Sequence, residues 1–526
     1  METFTAEEAR RLAPFVTNLD QPVFCLRNLP AAISAGAFAR YSRSPKSLRR
    51  LLLDELLPND TAVPDHGEVD DAEARALTER VIAAYGDDSV GQLAAVSVAF
   101  EGVSNILTKV IEWGRLGSYL EQSTRYIDFS DRPGGRYRYH VPAELTDHPQ
   151  LRRRFIETMD GLFGSYIDLM GPMEAFCDAH TPPAGPGASA GRSRAVKARA
   201  LDAVRGLLPA ATTSNVGVFA SGQALESLLV RLLSHPLAEA RQLGALALAE
   251  ARIVIPSFLT RVDRPDRGVA TAAYRRECLV SSRDLVRDLV AGQPASPAGA
   301  PPLVRLVEHD PAGEDRILRQ IVTGVSDLDH SGAAALVADL STTRRRDLIE
   351  AYVGRRSDRR HRPGRAFEAT DYTFEIVCDY GAYRDLQRHR LLMLQAQPLG
   401  AGLGVVVPDD IEAAGFAPRW REAHGTSHDL WRDLSQVVPE VAPYAVSMSH
   451  RIRFTIQMNA REAMHLIELR SQPQGHEAYR RVAIRMREQI RSVAGHSLVA
   501  GAMEFTDERI RTDGRLDAET RSTRRV

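Results

Sequence analysis

The chain has 526 residues, 44% hydrophobic and 26% charged, which is ordinary for a globular protein. It is long for one hydrophobic core, since single cores stop growing near ~300 residues, so at least two domains are expected. A formal net charge of -1 supplies no field to draw in nucleic acid or an anionic membrane, which leaves small molecules as the expected partners.

The opening stretch METFTAEEARRLAPF mixes acids and bases without an apolar segment. No later stretch reaches the ~18 uninterrupted apolar residues needed to cross a bilayer, so the expected location is cytoplasmic. YGDDSVGQL, from Tyr85, leads into AAVSVAF, a short alternating run before Glu101 that reads as a strand with a helix-like run after it. WGRLGSYLEQSTRY, Trp113 to Tyr126, then gathers Arg115, Ser118, Glu121, Ser123 and Arg125. Guanidiniums and hydroxyls donate to phosphate, and a carboxylate accepts from a base N–H or a ribose hydroxyl, so these groups suit a nucleotide. Composition alone favours a solvated loop holding a Glu121/Arg125 pair.

The chain after Leu151 and again after Ala224 repeats apolar residues at three- and four-residue steps and is predicted helical. HTPPAGPGASAGRSR from His180 and GQPASPAGAPP from Gly292 read as loops, the second being the better domain boundary. Arginine runs at Arg344–Arg346 and after Gly354 lack interleaved aromatics and read as solvated linker. YTFEIVC, ending at Cys378, reads as a second strand with a helix after it. DLQRHRLLMLQAQPLG follows, with Arg388, His389 and Arg390 in succession, a crowding of donors that is relieved when an anion or an electron-rich ring lies between them. A surface basic cluster fits equally well. The chain from Thr506 onward carries charge without an apolar face and is expected to stay solvated.

Cys25, Cys177, Cys278 and Cys378 are scattered singly, and all four are expected as buried small apolar residues. His180, His235 and His450 show no ligand spacing, so no metal is assigned and surface or capping roles are expected. The halves share an order: strand, helix, Arg-containing turn, then Val-Pro. It runs from Ala99 to Arg115 with Val141-Pro142, and from Phe374 to Arg390 with Val407-Pro408. Later helices end near Arg231 and Arg470, and together these matches read as a domain duplication.

Divided between the halves is a pattern that resembles the flavin-dependent thymidylate synthases, whose signature has the form RHRxxSxNExSxRY. The second half keeps Arg388-His389-Arg390, with Met393, Pro398 and Gly400-Ala401 replacing later members. The first half has Trp113-Gly114-Arg115 in place of RHR, while Ser118, Glu121, Ser123, Arg125 and Tyr126 match. YGDDSVGQL resembles the segment preceding the signature, with Gln92 where a flavin-contacting His is expected; Ala369 in GRAFEATD takes that place in the second half. VRGLLP maps a nucleotide role onto Arg205. MNAREAMHLIELRS maps flavin contact onto Asn459 and nucleotide contact onto Arg470, with Ala220 and Arg231 as the first-half counterparts.

The resemblance implies an α+β, helix-rich fold of two tandem thymidylate-synthase-complementing-type domains, each a small sheet packed with long helices. The expected bounds are 1–290 and 305–505, with a linker at 291–304 and a mobile tail at 506–526. The implied activity is methylation of dUMP to dTMP with methylenetetrahydrofolate and NADPH through FAD. The substrate residues implied are Arg115, Ser118, Glu121, Ser123, Arg125, Arg205, Arg231 and Arg470, with Arg115 and Arg231 as the catalytic pair. FAD falls to Ser89, Gln92, Arg388, His389, Arg390 and Asn459. Because the family's sites lie between subunits, a fused pair could build composite sites, and the expected assembly is a homodimer forming a pseudo-tetramer. Two alternatives remain: a nucleotide-binding homologue without turnover, or a related flavoenzyme acting on another uridine nucleotide.

Overall fold

The computed structural model describes residues 3–29, 31–41, 44–57, 90–183, 189–292 and 303–509. Among them no helix is long and apolar enough to cross a membrane. The chain forms two compact units interleaved in sequence. The first is Met1–Val103, Val110–Glu121 and Ser214–Pro294; the second is Ser104–Lys109, Gln122–Thr213 and Ala295–Val526.

The first unit is built on a three-stranded sheet of β1 (Ala95–Ser104), β2 (Ser118–Glu121) and β3 (Thr213–Ser221), in the order β1-β3-β2. β3 alternates buried Val216, Val218 and Ala220 with exposed positions, as a strand covered on one face requires. Ser221 ends β3 and caps the next helix, α1 (Gly222–Ser234), its hydroxyl accepting from Ala224 N. His235-Pro236 stops that helix, and α2 (Ala238–Val254) resumes beyond it.

The second unit holds a four-stranded antiparallel sheet in the order β4-β5-β7-β6: β4 (Val304–His309), β5 (Asp371–Asp379), β6 (Met393–Ala396) and β7 (Arg451–Asn459). Burial of Tyr372, Phe374 and Ile376 together with Thr373, Val377 and Cys378 shows β5 covered on both faces. Two long helices belong to this unit, α3 (Pro149–Ala179), burying Phe155, Leu162 and Phe163, and α4 (Ala417–Val437), burying Trp420 and Leu430.

The duplication is written in the hydrogen-bond register. Ser118 opposite Phe219 and Glu121 opposite Val216 are matched by Met393 opposite Gln457 and Ala396 opposite Phe454. Within the second unit the repeats meet at matched positions. Ala210 N donates to Val446 O at 2.7 Å, and Met448 N donates to Leu208 O at 2.9 Å, on either side of a Pro209/Ser447 bridge. Such self-complementary pairing is the mark of an isologous, two-fold contact, here within one chain.

Several expectations are corrected. The loop placed at His180–Arg194 already turns helical at Ser189, where α5 (Ser189–Val204) begins, because Ala-rich sequence follows the Pro-Gly segment. Only Cys177 and Cys378 are buried; Cys25 and Cys278 are exposed. The arginine-rich stretch after Gly354 is not all solvated: Arg356 is buried, paired bidentately with Glu468. His450 is a core residue, its Nδ1 accepting from Ser447 N at 3.1 Å. Finally, the register sets Ser221, not Ala220, against Asn459, and both residues cap the helix that follows. Most of the expected linker, 293–302, and of the tail, 510–526, lies outside the described residues.

Candidate functional site

Helix α6 (Tyr380–Leu386) leaves the end of β5, capped by Asp379, whose carboxylate accepts from Ala382 N at 2.8 Å. Asp385 stands in its last turn, and Arg388-His389-Arg390 follow directly. On this frame guanidiniums from both repeats gather. From the first repeat, Arg125 forms a fork on Asp202, Nε to Oδ1 at 2.8 Å and Nη2 to Oδ2 at 2.9 Å, and its Nη1 donates to Tyr479 Oη at 3.1 Å. Arg205 follows α5 in a 3-10 turn, 4% exposed, with Nη2 buried and without a hydrogen-bond partner. Gly381 makes room for it: a Cβ there would stand 3.3 Å from Arg205 Nη2.

From the second repeat, Arg470 closes α7 (Ala460–Arg470). Its Nε donates to His389 Nε2 at 3.0 Å, and its Nη1 lies 4.0 Å from Asp385 Oδ1. Burial opposes ionisation of Asp385. The charges of Arg388, Arg470, Arg205 and Arg125 outweigh it and hold the carboxyl below its usual range. The crowded cations are therefore balanced in part by the protein itself. Burial and then Arg205 push His476 down to about 3, so it adds no charge at neutral pH.

His389 is buried and held well below its usual pKa by burial, then by Arg470, Arg362 and Arg390. Because Arg470 donates to Nε2, the ring proton sits on Nδ1 and is directed at Glu462 Oε1, 3.1 Å away. The backbone N–H of Glu462 is in turn capped by Asn459 Oδ1 at 2.9 Å. Ligand atoms of His389, Glu462 and His465 come within 4.8 Å of one another, close enough for a metal. With Nε2 accepting from Arg470 and Nδ1 protonated, however, His389 keeps no lone pair to coordinate one.

A cavity of about 390 Å³ opens beside the cluster, with Asp202 and Arg205 from the first repeat in its wall and Asp379, Met448, Ser449 and His476 from the second. Val377, Val406 and Pro408 give it an apolar side. The second unit thus brings together Arg125, Arg205, Arg388, His389 and Arg470, with Asn459 linked to them through Glu462. Ser123 supports Arg125 locally, its hydroxyl accepting from Arg125 N at 3.2 Å.

The other expected site residues belong to the first unit. Arg115 and Ser118 are exposed, and Glu121 is buried on β2. Arg231 spends Nε on Val110 O at 3.0 Å and Nη2 on Ile111 O at 3.5 Å. Gln92 donates to Gln223 Oε1 at 2.8 Å. Ser89 lies outside the described residues. Asp202, Asp385, Glu462 and Tyr479 escaped the sequence reading. A usable signal existed for two of them, since Asp202 and Asp385 stand only three residues before Arg205 and Arg388 in the sequence.

Comparison with known proteins places the whole chain. The family described as thymidylate synthase complementing protein matches residues 35–257 and 305–495. A UPF0159 protein of Chlamydia muridarum is 34% identical over 529 residues, covering 98% of either chain. A flavin-dependent thymidylate synthase of Mycobacterium marinum is 30% identical over 180 residues, 34% of this chain and 66% of that one. Among solved structures, a UMP/dUMP methylase PolB from Streptomyces cacaoi bound with 5-Br dUMP aligns with 40% of this chain and 95% of its own at 19% identity and a TM-score of 0.32.

Proposed function

We propose that this chain, which belongs to the thymidylate synthase complementing protein family, methylates dUMP at carbon 5 to give dTMP, with methylenetetrahydrofolate as one-carbon donor and NADPH as reductant. One observation carries the reading: Arg125 of the first repeat and Arg470 of the second both lie against Tyr479, Arg470 is 4.0 Å from Asp385, which Arg388 follows by three residues, and Arg205 stands in the wall of the adjoining cavity. Four guanidiniums drawn from two repeats make a cationic niche for an electron-rich pyrimidine and its phosphate.

The residues present also fit a flavin. Asn459 spends its oxygen on the helix cap and keeps its amide N–H₂ to donate, and Arg388 and Arg390 flank the oriented His389, so these side chains would hold a flavin by donating to its carbonyl and phosphate oxygens. FAD, when bound there, supplies the hydride equivalents that complete the methyl group. The protein's own work is alignment and charge. Arg470 and His389 hold each other in one orientation, which is the preorganisation such chemistry needs. Arg115 and Arg231 are carried as candidates for stabilising charge on the uracil carbonyls, with Ser118 and Glu121 on the nucleotide and Ser89 and Gln92 on the flavin, on family resemblance.

The test is direct. The purified protein should be yellow, with flavin absorbance, and should oxidise NADPH in a dUMP-dependent way with formation of dTMP. It should also rescue a thymidine-requiring bacterium lacking its own synthase. Flavin absorbance without dTMP formation would favour the related flavoenzyme acting on another uridine nucleotide, and nucleotide binding without flavin would favour the homologue that has lost turnover.

A further inference from the structure

We propose that Asp385 accepts the ring N–H of a uracil base and thereby selects uracil over cytosine nucleotides, a specificity that rests on the nucleotide reading above. Two unmet groups point to it. Asp385, its side chain 15% exposed, receives no hydrogen bond among the described residues. Its ion pair with Arg470 spans 4.0 Å, longer than the ~2.7–2.9 Å of a direct charge-assisted hydrogen bond. Arg205 Nη2 is buried, also without a hydrogen-bond partner. An acceptor and a donor left open in one enclosed cluster are costly unless a ligand carries the complement of both.

That complement is a donor flanked by acceptors. The imide edge of uracil has this form, one N–H between two carbonyls, so the ring N–H meets Asp385 while the guanidiniums serve the carbonyl oxygens. A phosphate in the same place would set like charge against the carboxylate. Cytosine would direct the lone pair of its ring nitrogen at Asp385, a repulsion in place of a hydrogen bond. As a counter-ion alone, Asp385 would hold the guanidiniums together without reading the base.

The experiment measures equilibrium binding of dUMP, N3-methyl-dUMP and dCMP to the full chain, wild type and Asp385→Asn. Wild type should prefer dUMP over either of the others by about 30-fold or more, the scale of one hydrogen bond to a charged group lost with its partner left unmet. The amide of Asp385→Asn can donate to the cytosine ring nitrogen, so the dUMP to dCMP ratio should fall by about tenfold or more. A variant that binds dUMP with the ratio unchanged would overturn the inference and leave the nucleotide reading standing. Should the variant fail to fold, the wild-type protein decides, since equal affinity for dUMP and N3-methyl-dUMP overturns the proposal. Wild type that binds neither dUMP nor dCMP brings down the nucleotide reading, and this inference with it.

Discussion

The Nε–H of Arg470 donates to Nε2 of His389 at 3.0 Å, which fixes the imidazole proton on Nδ1 and aims it at Glu462. Residues carried over as nucleotide-binding (Arg470) and flavin-binding (His389) are therefore one hydrogen-bonded unit, with Glu462 as its far anchor. Glu462→Ala releases the ring and should weaken flavin retention by about tenfold, the cost of one lost hydrogen bond in a buried chain. Glu462→Gln keeps an acceptor oxygen and should retain most of it. The flavin to protein absorbance ratio after gel filtration reads the result, and equal losses in the two variants would show that acceptance by residue 462 is not what matters.

Arg388 and Arg125 should part company in the same assay. Arg388 sits beside His389 and is exposed, whereas Arg125 is locked by Asp202 and Tyr479. Arg388→Ala should lower flavin retention more than Arg125→Ala does. Arg125→Ala should lower the melting temperature more, because it strands Asp202 in a largely buried place at a cost of about 1–3 kcal/mol. Equal flavin losses would count against the division of labour between the repeats.

The pair Arg356–Glu468 tests packing on α7, the helix that also carries Glu462 and Arg470. Their side chains are 0% and 1% exposed, and Arg356 also donates to Ala502 O at 2.9 Å. Removing one partner of such a pair leaves an uncompensated buried charge, so Glu468→Ala should cost about 3–5 kcal/mol of unfolding free energy. Urea unfolding measures it. A loss below about 1 kcal/mol would mean that the site relaxes to admit water.

Acid should destabilise the fold, and the sign follows from the buried imidazoles. Burial pushes His476 and His450 down to about 3, and His235 and His465 down to about 4. Each titrates near 6.5 when unfolded, so between about pH 6.5 and those lower values the unfolded chain binds more protons and stability falls with pH. Asp385, held below its usual range, loses its contribution at still lower pH, while Asp379 and Glu462, both raised by burial, oppose the trend. The melting temperature should therefore drop steadily from pH 7 to pH 5. A flat profile would show that these rings are hydrated in solution.

Much of this was legible in the sequence where the chemistry is local. AVSVAFEGVS and DYTFEIVCD alternate or bury as strands do, and both end in a capped helix, so the repeat could be read from pattern. RHR and the Arg125 segment were visible as two partial motifs. What no periodicity encodes is which carboxylate each guanidinium meets. Asp202 meets Arg125 across 77 residues of the first repeat, and Asp385 lies near guanidiniums of both repeats, which pair antiparallel at Pro209 and Ser447. The same limit misplaced Ala220: a one-residue slip is invisible in composition but decides which residue caps the helix. Arg356 looked like linker because the Glu468 that buries it is distant in sequence.

One nucleotide should bind per chain, although the chain carries two repeats. Carried across the duplication, several residues of the cluster are not repeated: Gly400 stands where Arg125 does, and Val110 where Asp385 does. The equivalence of Phe219 and Gln457 in the two sheets carries Arg205 onto Pro443. In the first repeat, Gly114 occupies the place of His389, and a Cβ there would lie 2.5 Å from Tyr119 Oη, so an imidazole could not be restored without moving that ring. Isothermal titration with dUMP should give a stoichiometry near one per chain, abolished by Arg205→Ala. Two equivalent sites per chain would mean that the first repeat keeps a nucleotide site of its own, and the composite-site reading would have to be abandoned.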